Sequence, residues 1–281
     1  MAKNIIIPDN KKLNALKKKI SGKGANGLHV LADFDKTLTT AFVDGNKVQS
    51  TVAILRNEGY LTPDYPGKAQ KLFEKYHPIE INPNIPLREK KKAMQGWWTS
   101  HFELLIRSGL NKSDLEKIIE SGKIKLRRGA LQLIDYLHEH EIPLVIMSSS
   151  GIGDSISMYL ESLGRLYPNI HIVSNTFEWD EQGRAVKVKQ PVIHSMNKDE
   201  TVLHSLPFYP QIKDRRNVIL IGDNIEDNGM VIGFDYSALL RIGFLNENVE
   251  ENLEAYKKNF DIVLLNDTTM RYVNSLLKGM F

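Results

Sequence analysis

The sequence predicts an α/β protein with a Rossmann-like core, in which a mainly parallel sheet is covered by helices on both faces. Short apolar runs recur along the chain, and most of them are followed or preceded by helical periodicity. This alternation of strand and helix is typical of parallel sheets. Polar segments directly follow three of these runs, at the edge where open α/β sheets bind ligands. We therefore expect the functional site at that edge.

The first predicted element is an amphipathic helix over residues 10–20. Leu13, Leu16 and Ile20 fall on one stripe, and the lysines lie mostly on the other side. We expect the lysine face to be solvated, with the docking of anions as the alternative. Six apolar runs bounded by turn residues are then predicted to be strands: Leu28–Ala32, Ile142–Met147, Ile170–Val173, Val218–Ile221, Leu239–Ile242 and Ile262–Leu265.

More than a hundred residues separate the first two predicted strands. An ordinary crossover needs roughly a dozen, so we expect an inserted domain. Residues 47–122 are predicted to form a four-helix-bundle cap, and residues 1–46 and 123–281 the core. Helices are expected near residues 48–57, 64–76, 86–107 and 111–120, with breaks at Gly59, His77-Pro78, Asn82-Pro83, Gly109 and Gly122. A cap in this position could cover the site and expel water.

A β-hairpin is predicted beside the core. Thr176–Trp179 and Ala185–Val188 alternate in polarity, and the turn-rich residues 180–183 lie between them.

The composition excludes several kinds of binding site and catalytic group. Thirty-seven Lys and Arg against 34 Asp and Glu give a net charge of +3, too small to indicate nucleic-acid binding. The lack of cysteine excludes disulfides, thiolate zinc sites and cysteine nucleophiles, so any metal must be bound by oxygen or histidine. No apolar run approaches the roughly 18 residues of a membrane span, and no signal-peptide pattern is present. We expect a cytoplasmic monomer with no membrane or nucleic-acid partner.

An acidic pair follows the first predicted strand. Asp33 and Asp35 stand directly after Leu28–Ala32, in the sequence Asp-Phe-Asp-Lys-Thr-Leu. In an extended chain their side chains point to the same side, which favours a divalent cation between them. That cation would keep one carboxylate ionised as a nucleophile. The alternative is a strand end with an Asx-type turn.

Two further polar segments follow strands. Residues 148–154, Ser-Ser-Ser-Gly-Ile-Gly-Asp, could bind a phosphate through hydroxyls, backbone amides and the start of the next helix. The alternative is an ordinary strand-to-helix turn with a capping serine or aspartate. Residues 222–227, Gly-Asp-Asn-Ile-Glu-Asp, carry Asp223 and Asp227, whose carboxylates could supply a metal ligand and a supporting acid.

A lysine is expected to offset these negative charges. Lys198, in Asn197-Lys198-Asp199 at a predicted helix start, could neutralise both the nucleophile and a phosphate, and Lys213 is its competitor.

Taken in this order, the four segments resemble the haloacid dehalogenase superfamily. The second aspartate of the pair implies a Mg²⁺-dependent phosphatase of that superfamily. The chain also resembles the cytosolic pyrimidine 5'-nucleotidase family over nearly everything after residue 27. The matching segments are residues 33–38, 77–83, 97–99, 149–154, 173–175, 193–194, 197–198, 220–223, 242–246 and 261–264.

The resemblance implies catalytic and metal-binding roles. Asp33 would be the nucleophile that becomes phospho-aspartate. Asp35 would protonate the leaving oxygen and then activate water. Mg²⁺ would be held by the Asp33 carboxylate, the Asp35 backbone carbonyl and Asp223, with Asp227 supporting the metal waters or Lys198.

The resemblance also implies a phosphate site. Ser149, Ser150, Gly151 and Lys198 would bind the phosphoryl group and spread the charge of an in-line transition state. The family pattern favours Lys198 over Lys213.

The nucleoside side of the site is expected in the cap. Glu80 corresponds to the family's base-reading carboxylate, which can accept hydrogen bonds from an exocyclic amine. One of Trp97 and Trp98 could stack on the base while the other packs in the cap, and the alternative places both in the core. His101 is either a contact to the base or ribose or a solvated helix residue.

We therefore expect a Mg²⁺-dependent phosphatase of nucleoside 5'-monophosphates that prefers CMP and UMP. The tryptophan pair looks more like family members that also accept 7-methylguanosine monophosphate, whose cationic base stacks well on tryptophan. A phosphatase for a different small phosphomonoester, such as phosphoserine, is also compatible with the sequence. A non-enzymatic phospho-ligand binding protein is disfavoured, because Asp33, Asp35, Ser149, Lys198 and Asp223 are all present. The resemblance also allows phosphate transfer to nucleosides.

Overall fold

The computed structural model describes residues 4–82, 84–198 and 203–281. Within them the strands are β1 (Ile5–Ile6), β2 (Leu28–Ala32), β3 (Phe42–Val43), β4 (Asn46–Lys47), β5 (Leu144–Ile152), β6 (Ile170–Asn175), β7 (Phe177–Trp179), β8 (Ala185–Val188), β9 (Asn217–Gly222), β10 (Ala238–Leu245) and β11 (Ile262–Leu265). The α-helices are α1 (Asn10–Ser21), α2 (Thr51–Asn57), α3 (Tyr65–Ile81), α4 (Leu87–Arg107), α5 (Lys112–Glu120), α6 (Ala130–Glu139), α7 (Ser155–Ser162), α8 (Tyr209–Ile212), α9 (Val249–Asn259) and α10 (Arg271–Lys278).

Seven of the described strands form one sheet in the order β1-β11-β10-β9-β2-β5-β6. Neighbouring strands are parallel except at the edge, where β1 runs antiparallel to β11. All six predicted strands belong to this sheet, so the predicted α/β fold is confirmed. Strand β1 is not among the predicted strands, because two residues are too few to show a strand pattern.

The sheet is buried on both faces. Along β2, Val30 and Ala32 pack in one hydrophobic cluster and Leu31 packs in another, as side-chain alternation requires. Both clusters contain residues from helices or loops outside the sheet, such as Leu133 of α6 in the first. A parallel sheet covered in this way presents its functional groups at the ends of its strands.

Helices α2 to α5 occupy the insertion and agree with the four predicted helices, while the domain boundaries at residues 47 and 122 stay a prediction. One break was placed wrongly: α3 continues through Pro78 and ends at Ile81. Proline removes one helical hydrogen bond, but contacts on both sides hold this turn. His77 stacks on Phe73 with ring centroids 4.5 Å apart, and Glu80 is hydrogen-bonded to Ser195.

Strands β7 and β8 form the predicted hairpin. It lies against the helical insertion as well as the core. The Lys112 N–H donates to the Gly183 carbonyl at 2.9 Å, and the Ala185 N–H donates to the Leu110 carbonyl at 2.8 Å. The hairpin therefore ties the start of α5 to the rest of the chain.

None of the helices in these residues is both long and apolar enough to cross a membrane.

Candidate active site

The turn after β2 carries the acidic pair. Asp33 continues the extended chain, and its N–H donates to the Ile221 carbonyl of β9 at 3.0 Å. The chain then turns sharply at Lys36, whose φ of 57° lies in the left-handed region. Because the neighbouring strands β2 and β9 end side by side, Asp33 and Asp223 reach the same edge of the sheet.

Arg127 stabilises this turn through hydrogen bonds to its backbone. No sequence motif predicted this role of Arg127. The side chain is 2% exposed and donates to the backbone carbonyls of Lys36 and, at 2.8 Å, Thr37. It also pairs with Asp267 at 2.8 Å and lies over the Phe244 ring, 4.0 Å from the centroid. The guanidinium therefore fixes the backbone that follows the acidic pair.

Asp35 turns toward β5. Its Oδ2 accepts hydrogen bonds from the Ser150 hydroxyl and, at 3.5 Å, from the Ser148 hydroxyl. The Ser148 oxygen in turn accepts the Gly151 N–H at 2.9 Å. The serine segment that was predicted to bind phosphate is thus hydrogen-bonded to the second aspartate. Ser148 lies in the predicted segment 148–154, but the resemblance singled out only Ser149, Ser150 and Gly151.

Asn175 joins this serine segment to the loop that carries Lys198. Its side-chain amide donates to the carbonyls of Ser149, at 3.0 Å, and Ile193, at 2.8 Å. Its amide oxygen accepts the Ile193 N–H at 2.7 Å. In the same loop, Asn197 accepts the His194 N–H at 2.6 Å. These hydrogen bonds hold the loop in place up to Asn197, the residue directly before Lys198.

Lys198 is buried between two carboxylates. Its ammonium group contacts Asp33 and lies 3.1 Å from Asp227. Its competitor Lys213 is exposed at the end of α8, so Lys198 is the lysine brought to the acidic pair. The helix predicted to start at Asn197-Lys198-Asp199 would continue into residues 199–202, which lie outside the described residues. Pro83, in the matching segment 77–83, lies outside them too.

Asp227 folds back onto the strand end. Its Oδ2 accepts the N–H groups of Asp223, at 3.1 Å, and Asn224, at 3.0 Å. Gly222 makes this possible, because a Cβ atom there would lie 2.5 Å from Asp227 Oδ2. The Tyr256 hydroxyl donates to the Asp223 carbonyl from the other side. The segment 222–227 thus has a fixed geometry.

Burial and like charges raise the pKa of the acidic groups. Burial raises the pKa of Asp33 well above its ordinary value, against the opposing effect of Lys198, and burial also raises the pKa of Asp35. Burial and then repulsion by Asp227 raise the pKa of Asp223 to about 7. Burial alone would lower the pKa of Lys198, but Asp227 and Asp33 raise it, so the amine stays charged. Lys198 and Lys36 together do not balance four carboxylates, and a metal cation would offset the negative charge that remains when these ionise.

Three of these carboxylates could hold a metal ion. Asp33, Asp223 and Asp227 can place one oxygen each within 4.8 Å of one another. Carboxylate oxygens are the ligands of hard divalent cations, so the donor set fits such an ion. The carboxylate of Asp35, the fourth predicted metal residue, is turned to Ser150 instead. The metal bond through the Asp35 backbone carbonyl, which the resemblance implied, stays a prediction.

Glu80 reaches from the last turn of α3 to the loop of Lys198. Its Oε1 accepts the Ser195 hydroxyl at 2.7 Å, and its Oε2 lies 3.3 Å from His77 Nδ1. Ser195 and Lys198 line the same cleft of about 200 Å³, together with Leu87 of α4. Through Ser195, Glu80 therefore contacts the loop that carries Lys198.

The aromatic residues of α4 pack on one another. Trp97 is 9% exposed and stacks on Tyr76 of α3, with ring centroids 6.0 Å apart. Trp98 is half-buried and also lies 6.0 Å from Trp97. His101 is buried against the Tyr65 hydroxyl, 3.0 Å away, and burial lowers its pKa to about 4. The alternative of a solvated His101 is therefore wrong.

Known relatives match almost the whole chain. The family model for Pyrimidine 5'-nucleotidase (UMPH-1) matches residues 36–281. The 7-methylguanosine phosphate-specific 5'-nucleotidase of Gallus gallus is 36% identical over 260 residues, which cover 92% of this chain and 90% of the relative. The enzyme of the same name from Homo sapiens is 35% identical over 256 residues, which cover 91% of this chain and 85% of that relative.

Solved structures agree with these relatives. Cytosolic 5'-nucleotidase IIIB bound to cytidine has a TM-score of 0.89 and 31% identity, covering 100% of this chain and 95% of that chain. A phospho-aspartyl intermediate analogue of phosphoserine phosphatase, at 18% identity and a TM-score of 0.52 over 90% of this chain and 97% of that one, shares the fold alone. The resemblance found in the sequence is thus confirmed. This chain belongs to the pyrimidine 5'-nucleotidase (UMPH-1) family and has the fold of the haloacid dehalogenase superfamily.

Proposed function

We propose that this chain hydrolyses nucleoside 5'-monophosphates through a phospho-aspartate formed on Asp33. The observation that carries the proposal is the geometry of Asp33, which is buried at the end of β2 and paired with Lys198. The ammonium group stabilises the ionised carboxylate and the negative charge of an approaching phosphate. The relatives named as 5'-nucleotidases support the same activity.

Asp33 and Asp35 divide the reaction between them. Asp33 attacks phosphorus, and the bond from phosphorus to the nucleoside 5'-oxygen breaks while Asp35 gives that oxygen a proton. Asp35 then takes a proton from a water, whose oxygen attacks the phosphorus and frees Asp33. Burial raises the pKa of Asp35, which favours the protonated form that a general acid needs.

The metal is proposed to be Mg²⁺. Asp33, Asp223 and Asp227, with the backbone carbonyl of Asp35, would hold it through oxygen atoms. When bound, it would offset the negative charge of the phosphoryl group and orient it. The phosphoryl oxygens would also meet Lys198 and the hydroxyls of Ser149 and Ser150, once Ser150 leaves Asp35.

Residues 47–122 are proposed to act as a cap that admits the nucleoside. Glu80 would accept hydrogen bonds from the base, because its carboxylate reaches the loop of Lys198 through Ser195. Trp97 or Trp98 would provide the stacking surface. His101 is directed at Tyr65, so we propose that it supports the aromatic cluster from inside. The cytoplasmic location and monomeric state stay predictions.

Pyrimidine nucleotides remain the first proposed substrates, in line with the family description and the cytidine-bound relative. A second substrate, 7-methylguanosine monophosphate, is favoured by the names of the curated relatives and by the tryptophan pair. A cationic methylated base would gain from stacking on either tryptophan.

Phosphate release from a nucleotide panel tests the proposal. With Mg²⁺ present, the wild type is expected to hydrolyse CMP, UMP or 7-methylguanosine monophosphate and to leave phosphoserine nearly untouched. Asp33→Asn and Lys198→Met should each lower kcat by at least about a thousandfold, since both remove groups that act on the phosphoryl charge. Lys213→Met is the matched control and should keep full activity, because Lys213 is exposed. Undiminished turnover by Asp33→Asn would overturn the mechanism.

A further inference from the structure

The hydroxyl of Ser195 occupies one oxygen of the carboxylate proposed to read the base. Ser195 Oγ donates to Glu80 Oε1 at 2.7 Å, although 115 residues separate the two in the sequence. Glu80 is 24% exposed at its side chain, and Ser195 is half-buried. This contact joins the last turn of α3 to the loop of Lys198.

Ser195 lies three residues before Lys198, in the same loop. It lines the cleft that Lys198 and Met196 also line. A nucleotide whose phosphate meets Lys198 and whose base meets Glu80 would lie beside this loop. Its base would then reach the Ser195 hydroxyl and Glu80 Oε1 together, because these two atoms are hydrogen-bonded to each other.

Guanine and the pyrimidines would form different hydrogen bonds with Ser195 and Glu80. Guanine presents two adjacent donors, its ring N1–H and its exocyclic amine, which match the two oxygens of a carboxylate. Each pyrimidine presents one donor with an acceptor beside it: the amine and N3 in cytosine, and N3–H and a carbonyl in uracil. Against a carboxylate alone, that acceptor would face a second acceptor, and an unpaired buried polar group costs binding energy.

We infer that Ser195 is a specificity-determining residue that adapts the Glu80 carboxylate to pyrimidines. When a pyrimidine donates to Glu80, the Ser195 hydroxyl rotates its proton from the carboxylate to the neighbouring acceptor of the base. A guanine-type base needs both carboxylate oxygens and makes no use of this proton. The inference rests on the proposed function, because it assumes that Glu80 reads the base.

The test compares kcat/KM for CMP and UMP with kcat/KM for 7-methylguanosine monophosphate. In Ser195→Ala the ratio of pyrimidine to methylguanine nucleotide should fall about fivefold to tenfold, the effect of one hydrogen bond to a neutral acceptor. Ser195→Thr keeps the hydroxyl and should restore the ratio. A residue that only supported the Lys198 loop would change all three substrates by the same factor.

The possible outcomes separate this inference from the proposed function. A ratio that is unchanged or raised in Ser195→Ala, or an equal loss on all three nucleotides, would overturn the role of Ser195 while leaving the nucleotidase intact. A ratio that falls and is not restored by Ser195→Thr would also count against it. A wild type that hydrolyses none of the three nucleotides would instead overturn the proposed function.

Discussion

Gly222 is required by the side chain of Asp227, which folds back against it. A Cβ atom at residue 222 would lie 2.5 Å from Asp227 Oδ2 and 2.6 Å from its Cβ. In Gly222→Ala we therefore expect Asp227 to move, weakening its contact with Lys198 and its bonds to the N–H groups of Asp223 and Asn224. Phosphate release should fall by about a hundredfold or more, and the free energy of unfolding by about 1–3 kcal/mol.

Gly229→Ala is the matched control for that substitution. A Cβ atom at residue 229 would meet only Ile232 Cδ1, at an ordinary contact distance of 3.9 Å. Activity and unfolding free energy should stay close to those of the wild type. Equal activity of the two variants in the same assay would contradict the proposed role of the Asp227 contact.

Residues at strand ends could be predicted from the sequence, whereas their distant partners could not. Asp33 and Asp223 follow apolar runs, and the rule that parallel strands present their ends at one edge brings them together. Ser195 and Arg127 show no such local pattern. Their partners Glu80 and Thr37 lie 115 and 90 residues away in the sequence. A contact over that distance depends on the packing of the whole chain, which local periodicity does not contain.

At the scale of elements, the segment Phe34–Leu38 is a turn held by a single buried cation. Arg127 bonds the carbonyls of Lys36 and Thr37 and pairs with Asp267. In Arg127→Lys the charge stays, but an ammonium group cannot span these partners as a planar guanidinium does. We expect kcat to fall by about tenfold to a hundredfold with little change in KM. A small displacement of Asp33 and Asp35 would misalign them with the reacting atoms of the substrate.

The neighbour of Arg127 provides the control for this element. Arg128 is exposed, and Arg128→Met should leave kcat, KM and the thermal midpoint unchanged. Arg127→Lys must also be checked for folding, since removal of one partner of a buried ion pair destabilises proteins. A folded Arg127→Lys protein with wild-type kcat would show that the turn needs no such support.

Element boundaries were the weaker part of the prediction. Strand β5 continues through the serine segment to Ile152, beyond the expected end at Met147, because Ile152 still pairs with Asn175 of β6 across an irregularity. Helix α3 continues past Pro78 for a similar reason, since tertiary contacts outweigh a local breaking signal. In both cases the extension carries site residues: Ser150 in β5 and Glu80 in α3.

At the scale of the whole molecule, two of the buried histidines have strongly lowered pKa values, one in the core and one in the helical insertion. Burial lowers the pKa of His29 in β2 to about 4, and that of His101 in α4 to about 4, from an ordinary value of 6.5. Above pH 6.5 each ring is neutral whether the chain is folded or unfolded, so neither affects stability. As the pH falls from 6.5 to 4, each histidine binds a proton in the unfolded chain but stays neutral in the folded chain. Each histidine therefore lowers the free energy of unfolding by up to about 3 kcal/mol.

Replacement of His101 should therefore change how stability depends on pH. His101→Phe loses the contact with Tyr65 at every pH, but its free energy of unfolding should improve relative to wild type as the pH falls from 6.5 to 4, by up to about 3 kcal/mol. Other titrating groups are common to both proteins and cancel in the difference, which urea unfolding at each pH would measure. If core and insertion unfold as one unit, the substitution shifts the urea midpoint of the single unfolding transition. If residues 47–122 unfold separately, it shifts only the urea midpoint of the transition of that segment. A difference that is constant from pH 6.5 to 4 would contradict the neutral, buried state of His101.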